Sequence, residues 1–203
     1  MFVIVRHGNT FEAGEDPRRI GARTDLPLTA HGFAQADALG RHFSNKRWQF
    51  ARVLVSPLQR TQQTAQAILK IQTSAPVPEP AEFLREIDHG PDENMSESAV
   101  LGRIGTQALS AWEDSAIPPP GWVVGADERI DAWRDLFDNG QDAVGPVLLV
   151  TSNGAARFAL LADPTIREEA QKLPSLKLPT GGYGTIARDD AGQLSLIAWG
   201  VRP

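Results

Sequence analysis

The chain has 203 residues, a net charge of -5 and no cysteine. That length suits one α/β domain with a decorated edge and a sizeable core. The acidic balance argues against general nucleic-acid binding, and the lack of cysteine excludes disulfides, thiol nucleophiles and cysteine metal sites.

No apolar run approaches membrane-spanning length and no fixed-period repeat is visible. A first strand starting at residue 2 leaves no room for a signal peptide, so a soluble cytoplasmic protein without membrane or nucleic-acid partners is expected. That strand is Phe2-Val3-Ile4-Val5, apolar and rich in β-branched residues. It stops on Arg6, His7 and Gly8. In an open α/β sheet, ligands bind beyond the carboxyl ends of the strands. An imidazole there can attack phosphorus while a guanidinium holds the phosphoryl oxygens.

From Phe11 to Leu28 the chain reads as a long polar loop carrying Arg18, Arg19 and Arg23, each expected to be solvated. Thr29 is placed to cap a helix, with Leu28 stapling onto Phe33. Phe33, Ala36, Leu39, Gly40 and Phe43 trace the buried face of that helix, and His31 and His42 are expected at the surface. Arg52-Val53-Leu54-Val55 is a second buried strand. Ser56-Pro57-Leu58-Gln59 has the pattern of a helix start, with Ser56 as cap and Arg60 in the opening turn.

Residues 71–80 read as a connector, followed by the acidic stretch from Glu79 to Glu97. A single carboxylate there could serve as the proton donor, although spacing alone does not select one. Met95 to Trp112 looks helical, capped by Ser96 or Ser98, and 117–122 is a stiff proline-rich loop. Asp127 caps a further helix through Ile130, Trp133, Leu136 and Phe137, stopped near Asn139-Gly140. Val147 to Val150 is a third buried strand, followed by the small-residue turn Thr151-Ser152-Asn153-Gly154 and a helix from Ala155 to Leu161. Such a turn offers backbone N–H groups to phosphate. Two late strands, near 183–188 and 194–199, form a hairpin around Ala191-Gly192.

Taken together, Arg6-His7-Gly8-Asn9-Thr10, Arg23-Thr24-Asp25-Leu26-Pro27-Leu28-Thr29, Ser56 to Ala65 and Leu84 to Gly90 resemble the histidine phosphatase superfamily. The resemblance covers most of the chain. It implies a three-layer α/β/α sandwich around a mostly parallel sheet, like the phosphoglycerate mutases, in one domain over 1–203 with 90–125 covering the site. It further implies His7 as the nucleophile, Arg6 and Arg60 as phosphoryl ligands and Glu86 as general acid, then base. Arg6, Thr10, Arg60, Asn153 and Gly154 form the expected phosphate-binding set.

The implied activity is hydrolysis of a small phosphorylated metabolite through phosphohistidine, with phosphate or sulfate fitting the site and no metal or organic cofactor. One position departs from the family pattern. Where the family has a second histidine this chain has Asn153, with Arg157 or His89 as candidate substitutes. Asparagine donates a hydrogen bond but carries no charge and exchanges no proton. Altered or reduced activity is one consequence; the alternative is a phosphate-binding pseudo-phosphatase.

Overall fold

The computed structural model describes residues 1–139 and 145–203. Its elements in chain order are β1 (Phe2–Arg6), α1 (Ala30–Asn45), β2 (Arg52–Val55), α2 (Gln59–Leu69), β3 (Glu79–Pro80) and α3 (Glu97–Ser115). They continue as α4 (Ala126–Asn139), β4 (Val147–Thr151), α5 (Asn153–Ala156), α6 (Pro164–Ala170), β5 (Tyr183–Arg188) and β6 (Leu194–Val201). The six strands lie in the order β3-β2-β4-β1-β5-β6. β3, β2, β4 and β1 are mutually parallel, whereas β5 and β6 add an antiparallel edge.

Strand periodicity divides the core into two layers. Val3, Val5, Val53, Val55, Leu148 and Val150 face Leu39 and Phe43 of α1 and Ala65 and Ile68 of α2. Ile4, Leu54 and Leu149 face the opposite way, onto a larger core with Val100, Trp112, Trp133, Phe137, Phe158 and Ile166. This is the expected three-layer α/β/α arrangement. The three strands with legible ends, β2, β4 and β1, are neighbours, so their carboxyl ends meet at one place.

Local chemistry accounts for most boundaries. Thr29 caps α1, its side chain accepting from the Gly32 N–H, and Ser96 caps α3 through the Ala99 N–H. Three starts differ from expectation. Ser56 does not cap α2: its N–H pairs with the Val150 carbonyl and prolongs the sheet, and its Oγ accepts from the Leu58 N–H at 3.4 Å, ahead of the first helical residue. The helix begins at Gln59, whose N–H is taken by Asp25 Oδ1 at 2.7 Å. Asp127 lies inside the first turn of α4, which starts at Ala126. The expected helix over 155–161 is the four-residue α5 followed by a 3-10 segment, Arg157–Leu160. α3 is broken at Gly105 (φ 77°, ψ 165°).

The expected stop at Gly140 lies outside the described residues. β3 and α6 are additions to the expected elements; α6 is capped by Asp163, with Pro164 opening the helix. Phe33 is 41% exposed, and Gly32 takes its place on the buried face of α1. The cause is a backbone crossing. A Cβ on Gly32 would overlap the carbonyl oxygen of Asn9, just beyond the end of β1. Helix propensity alone makes Gly32→Ala stabilising by about 1 kcal/mol. The overlap reverses the sign, so the variant is expected to lose about 1–3 kcal/mol in urea denaturation.

Candidate active site

β1 delivers Arg6 and His7 to the sheet edge, and the sheet continues past them. The His7 N–H donates to the Thr151 carbonyl at 3.0 Å, and the Gly181 N–H donates to the His7 carbonyl at 3.1 Å. The His7 ring is 4% exposed. Its Nδ1 donates to the Gly8 carbonyl at 2.8 Å, which assigns the tautomer and leaves Nε2 with a lone pair. Arg60 Nε donates to that nitrogen at 3.2 Å. Burial, then the charges of Arg60 and Arg6, hold the imidazole well below its ordinary pKa. His7 is therefore a neutral imidazole with a lone pair at Nε2, the state a nucleophile needs.

Arg60 is fully buried in the first turn of α2. Its guanidinium donates to the Thr24 carbonyl at 2.8 Å and the Gly21 carbonyl at 3.2 Å, and Asp25 lies 3.9 Å away. Glu93 holds that loop in place. Its Oε1 accepts from the Gly21 N–H (2.8 Å), the Arg23 N–H (3.2 Å) and the Thr24 hydroxyl (2.8 Å), and its Oε2 from the His89 N–H (3.2 Å). Burial opposes ionisation, but the His89 side chain, the Thr24 hydroxyl and the Gly21 and His89 N–H groups outweigh it and pull the Glu93 carboxyl down to about 2. In the sequence Glu93 belongs to the stretch running on from Glu86 that resembles the bisphosphatase branch of the family, and its contacts supply its role.

Arg6 donates to the Leu178 carbonyl at 2.8 Å. Burial, with the charges of Arg60 and Arg157, lowers it to about 10 against the opposing pull of Glu86. The same residue, Leu178, donates its N–H to Asn153 Oδ1 at 3.0 Å. The Asn153 amide nitrogen is thus the end left for the cavity. Leu178 gave no signal in the sequence because it acts only through its backbone.

Glu86, 6% exposed, sits across from α5. Its carboxylate accepts from the N–H groups of Ile87 (2.9 Å), Gly154 (3.0 Å) and Ala155 (3.1 Å). Burial opposes ionisation, but His89, these N–H groups and Arg60 prevail and hold the carboxyl below its usual range. The Gly154 amide, expected to face phosphate, is committed to Glu86 here. Its missing Cβ matters too, since one there would overlap the carboxylate.

Arg6, His7, Thr10, Glu86, Asn153 and Gly154 line a cavity of about 320 Å³, whereas Arg60, fully buried and bonded to His7 Nε2, is not part of its lining. Phe11, Arg18, Arg19, His89, Trp112 and Lys177 also line it. Arg19 is not solvated as expected: it pairs with Glu97 at 2.5 Å and lies over the Trp122 ring at 5.2 Å. Arg23 is the more exposed cation, paired with Asp88 at 3.0 Å. Arg157 does not reach the cavity. It is fully buried against the Trp112 ring at 4.1 Å and lies 3.5 Å from Glu113, so it supports the wall. Among the described residues, no group of three or more His, Asp or Glu side chains is placed to hold a metal ion. Nor is any helix among them long and apolar enough to cross a membrane.

A family model described as histidine phosphatase superfamily (branch 1) matches residues 2–199. The chain belongs to that superfamily. A 2,3-bisphosphoglycerate-dependent phosphoglycerate mutase of Rhizobium etli is 31% identical over 122 residues, covering 59% of this chain and 57% of the mutase. The fructose-2,6-bisphosphatase TIGAR of Xenopus tropicalis is 46% identical over 67 residues, 33% of this chain and 23% of its own. The matched segments thus span little more than half of one curated relative and about a quarter of the other. A Bartonella quintana mutase of the same name is 30% identical over 78% of both chains.

Solved structures share the fold across nearly the whole chain. An alpha-ribazole phosphatase from Shigella flexneri superposes with a TM-score of 0.73 at 22% identity, covering 99% of this chain and 96% of its own. A mycobacterial glucosyl-3-phosphoglycerate phosphatase gives 0.76 at 21% identity, covering 100% and 99%.

Replacing Glu93 tests the loop that carries Arg60. Glu93→Gln is expected to lower stability at pH 7 by about 1–3 kcal/mol in urea melts. The Glu93 carboxyl is depressed on folding, so its contribution is present above the unfolded value of 4.5 and is lost as pH falls toward about 2. Wild type should therefore lose stability more steeply than Glu93→Gln over that window.

Proposed function

We propose that this chain is a phosphomonoester hydrolase that passes the phosphoryl group through His7. The observation that carries the reading is the state of His7: neutral, with its Nε2 lone pair held beside the Arg60 guanidinium in a cavity that Arg6 also lines. In the first step Nε2 attacks phosphorus, the ester P–O bond breaks and the departing alkoxide takes a proton through Glu86 as general acid. In the second, water attacks the phosphohistidine, its proton goes to Glu86 as base, and the P–N bond breaks with its electron pair returning to His7. The transferring group needs charge stabilisation more than covalent help, and two guanidiniums supply it. Arg60 spends three of its five N–H donors on protein acceptors and keeps two for phosphoryl oxygens. Thr10 and the Asn153 amide nitrogen complete the phosphate-binding set.

The substrate class is a small phosphorylated metabolite, with phosphate or sulfate as simple occupants and the cytoplasm as the compartment. The segment 90–125 contributes a wall through Trp112 and Glu113. The phosphatases among the fold neighbours support hydrolysis over phosphoryl return to a second hydroxyl.

A second reading, a protein that binds a phosphorylated ligand without turnover, is favoured by Asn153. Its Oδ1 is committed to Leu178, leaving a neutral donor where a chargeable group would speed the reaction. Loss of one such donor typically slows a reaction about 100- to 1000-fold. Three measurements decide. Wild type should hydrolyse 4-nitrophenyl phosphate and at least one phosphorylated metabolite, and His7→Ala should reduce both to the blank. Asn153→His should leave the hydrolase unchanged or slower; a large gain from near zero supports the binding protein. Finally, the nucleophile must be neutral and its pKa lies well below 6.5, so the acid limb of kcat/KM is expected below pH 6.5. A limb at or above that value contradicts the assignment of His7.

A further inference from the structure

In the reaction proposed above Glu86 handles a proton at each step, so its distance from the reacting atoms decides its efficiency. Glu86 itself lies in no strand or helix. It follows a single 3-10 turn, Glu82–Leu84. The end of such a turn leaves carbonyl groups without helical partners. Here they are the carbonyls of Phe83, Leu84 and Arg85, directly before the acid, and each has a side-chain donor from another part of the chain. Thr151, fully buried at the end of β4, donates its hydroxyl to the Leu84 carbonyl at 2.7 Å. Arg129 takes the other two. Its Nη1 donates to the Phe83 carbonyl at 2.8 Å and to the Arg85 carbonyl at 2.6 Å.

Arg129 belongs to the first turn of α4, next to Asp127 and Glu128. The positive end of a helix dipole favours those acids and disfavours a cation. The arginine turns away from its helix instead. Its Nε donates to the Val124 carbonyl at 2.7 Å, gripping the segment that leads into α4. That segment is paired in turn with the residues just after the acid. The Val123 N–H donates to the Asp88 carbonyl at 2.8 Å, and the Asp88 N–H to the Val123 carbonyl at 3.1 Å. One half-buried guanidinium therefore ties the stretch entering Glu86 to the stretch that flanks its exit. A planar fork of donors can span these carbonyls at once, which an ammonium cannot. The carboxylate end of Glu86 is fixed separately, by the N–H groups of Ile87, Gly154 and Ala155.

We propose that Arg129 is the positioning residue for Glu86, fixing the backbone from which the carboxylate reaches the reacting atoms. The proposal rests on the hydrolase reading above. Arg129 is not part of the cavity lining, so it acts only through the acid. Removing its guanidinium frees the Phe83 and Arg85 carbonyls and lets the backbone before Glu86 shift. A displacement of about 1 Å costs about 100-fold where the geometry of a catalytic group matters. The same shift costs little where the leaving group needs no proton. The groups that attack and grip the phosphoryl stay in place, because Arg6 and His7 come from the end of β1 and Arg60 from α2.

The test separates leaving groups. 4-Nitrophenolate departs without a proton, whereas the alkoxide of an alkyl phosphate does not. Wild type, Arg129→Met and Glu86→Gln are compared by kcat/KM on 4-nitrophenyl phosphate and on glycerol 1-phosphate. The ratio of the two values is the readout, because a smaller folded fraction lowers both alike and leaves the ratio unchanged. Glu86→Gln is expected to shift it against the alkyl ester by about 100-fold, and Arg129→Met by about 10-fold or more in the same direction. Arg129→Lys, which keeps the charge and loses the fork, is judged by the same ratio if the methionine variant does not fold. A wild-type ratio in the Arg129 variants overturns the proposal, and so does a wild-type ratio in Glu86→Gln. If only the Arg129 variants keep that ratio, the role of Arg129 falls alone. If wild type hydrolyses neither ester, the hydrolase reading falls with it.

Discussion

A fully buried guanidinium governs this site. Taking Arg60 out of water costs several kcal/mol, and the chain recovers that only by supplying acceptors on every side. Two of them are the carbonyls of Gly21 and Thr24, in a loop with no regular structure. That loop has to be stiff for the bonds to last, and Glu93 makes it so by gathering its N–H and hydroxyl donors. The third acceptor is His7 Nε2. One charge therefore shapes the 21–25 loop, helps to orient the His7 ring and adds to the burial that keeps it neutral.

The end of β4 is organised by the opposite charge. A helix of four residues has little stability of its own. The Glu86 carboxylate binds the Gly154 and Ala155 N–H groups and so anchors α5 against the positive end of its dipole. The helix in return holds the carboxylate ionised. Acid and helix are then a single unit, and changing either disturbs the other. Asn153 belongs to the same turn, yet its side chain answers to Leu178 instead.

Sequence and structure agree where side-chain chemistry is local. β1, β2 and β4 were legible as short apolar runs, and their polar ends as candidate ligands, because burial on both faces keeps their interiors apolar; β3, two exposed residues at the sheet edge, carried no such signal. Thr29, Ser96 and the β5–β6 hairpin were legible for the same reason: each signal lies within a few residues of its effect. The misreadings have a common cause in contacts that cross the chain. Ser56 looks like a cap until Val150 claims its N–H. Phe33 looks buried until the Asn9 backbone occupies the space. Arg19 reads as solvated because Glu97 and Trp122 are far along the chain. The supports supplied by Gly21, Thr24 and Leu178 are backbone atoms, for which any residue name would serve. The α6 start is legible in Asp163-Pro164, a cap followed by proline at the first helical position.

The clamp at Leu178 gives the site a place in time. Arg6 and its carbonyl partner are separated by 172 positions, and His7 takes a second backbone bond from Gly181. During synthesis β1 emerges long before Leu178 and Gly181, the groups that orient its end. Contacts that span so much chain form late, after shorter loops have closed. A growing chain can thus carry Arg6 and His7 through most of translation without a finished pocket around them. The pocket closes only when the segment leading into β5 has docked.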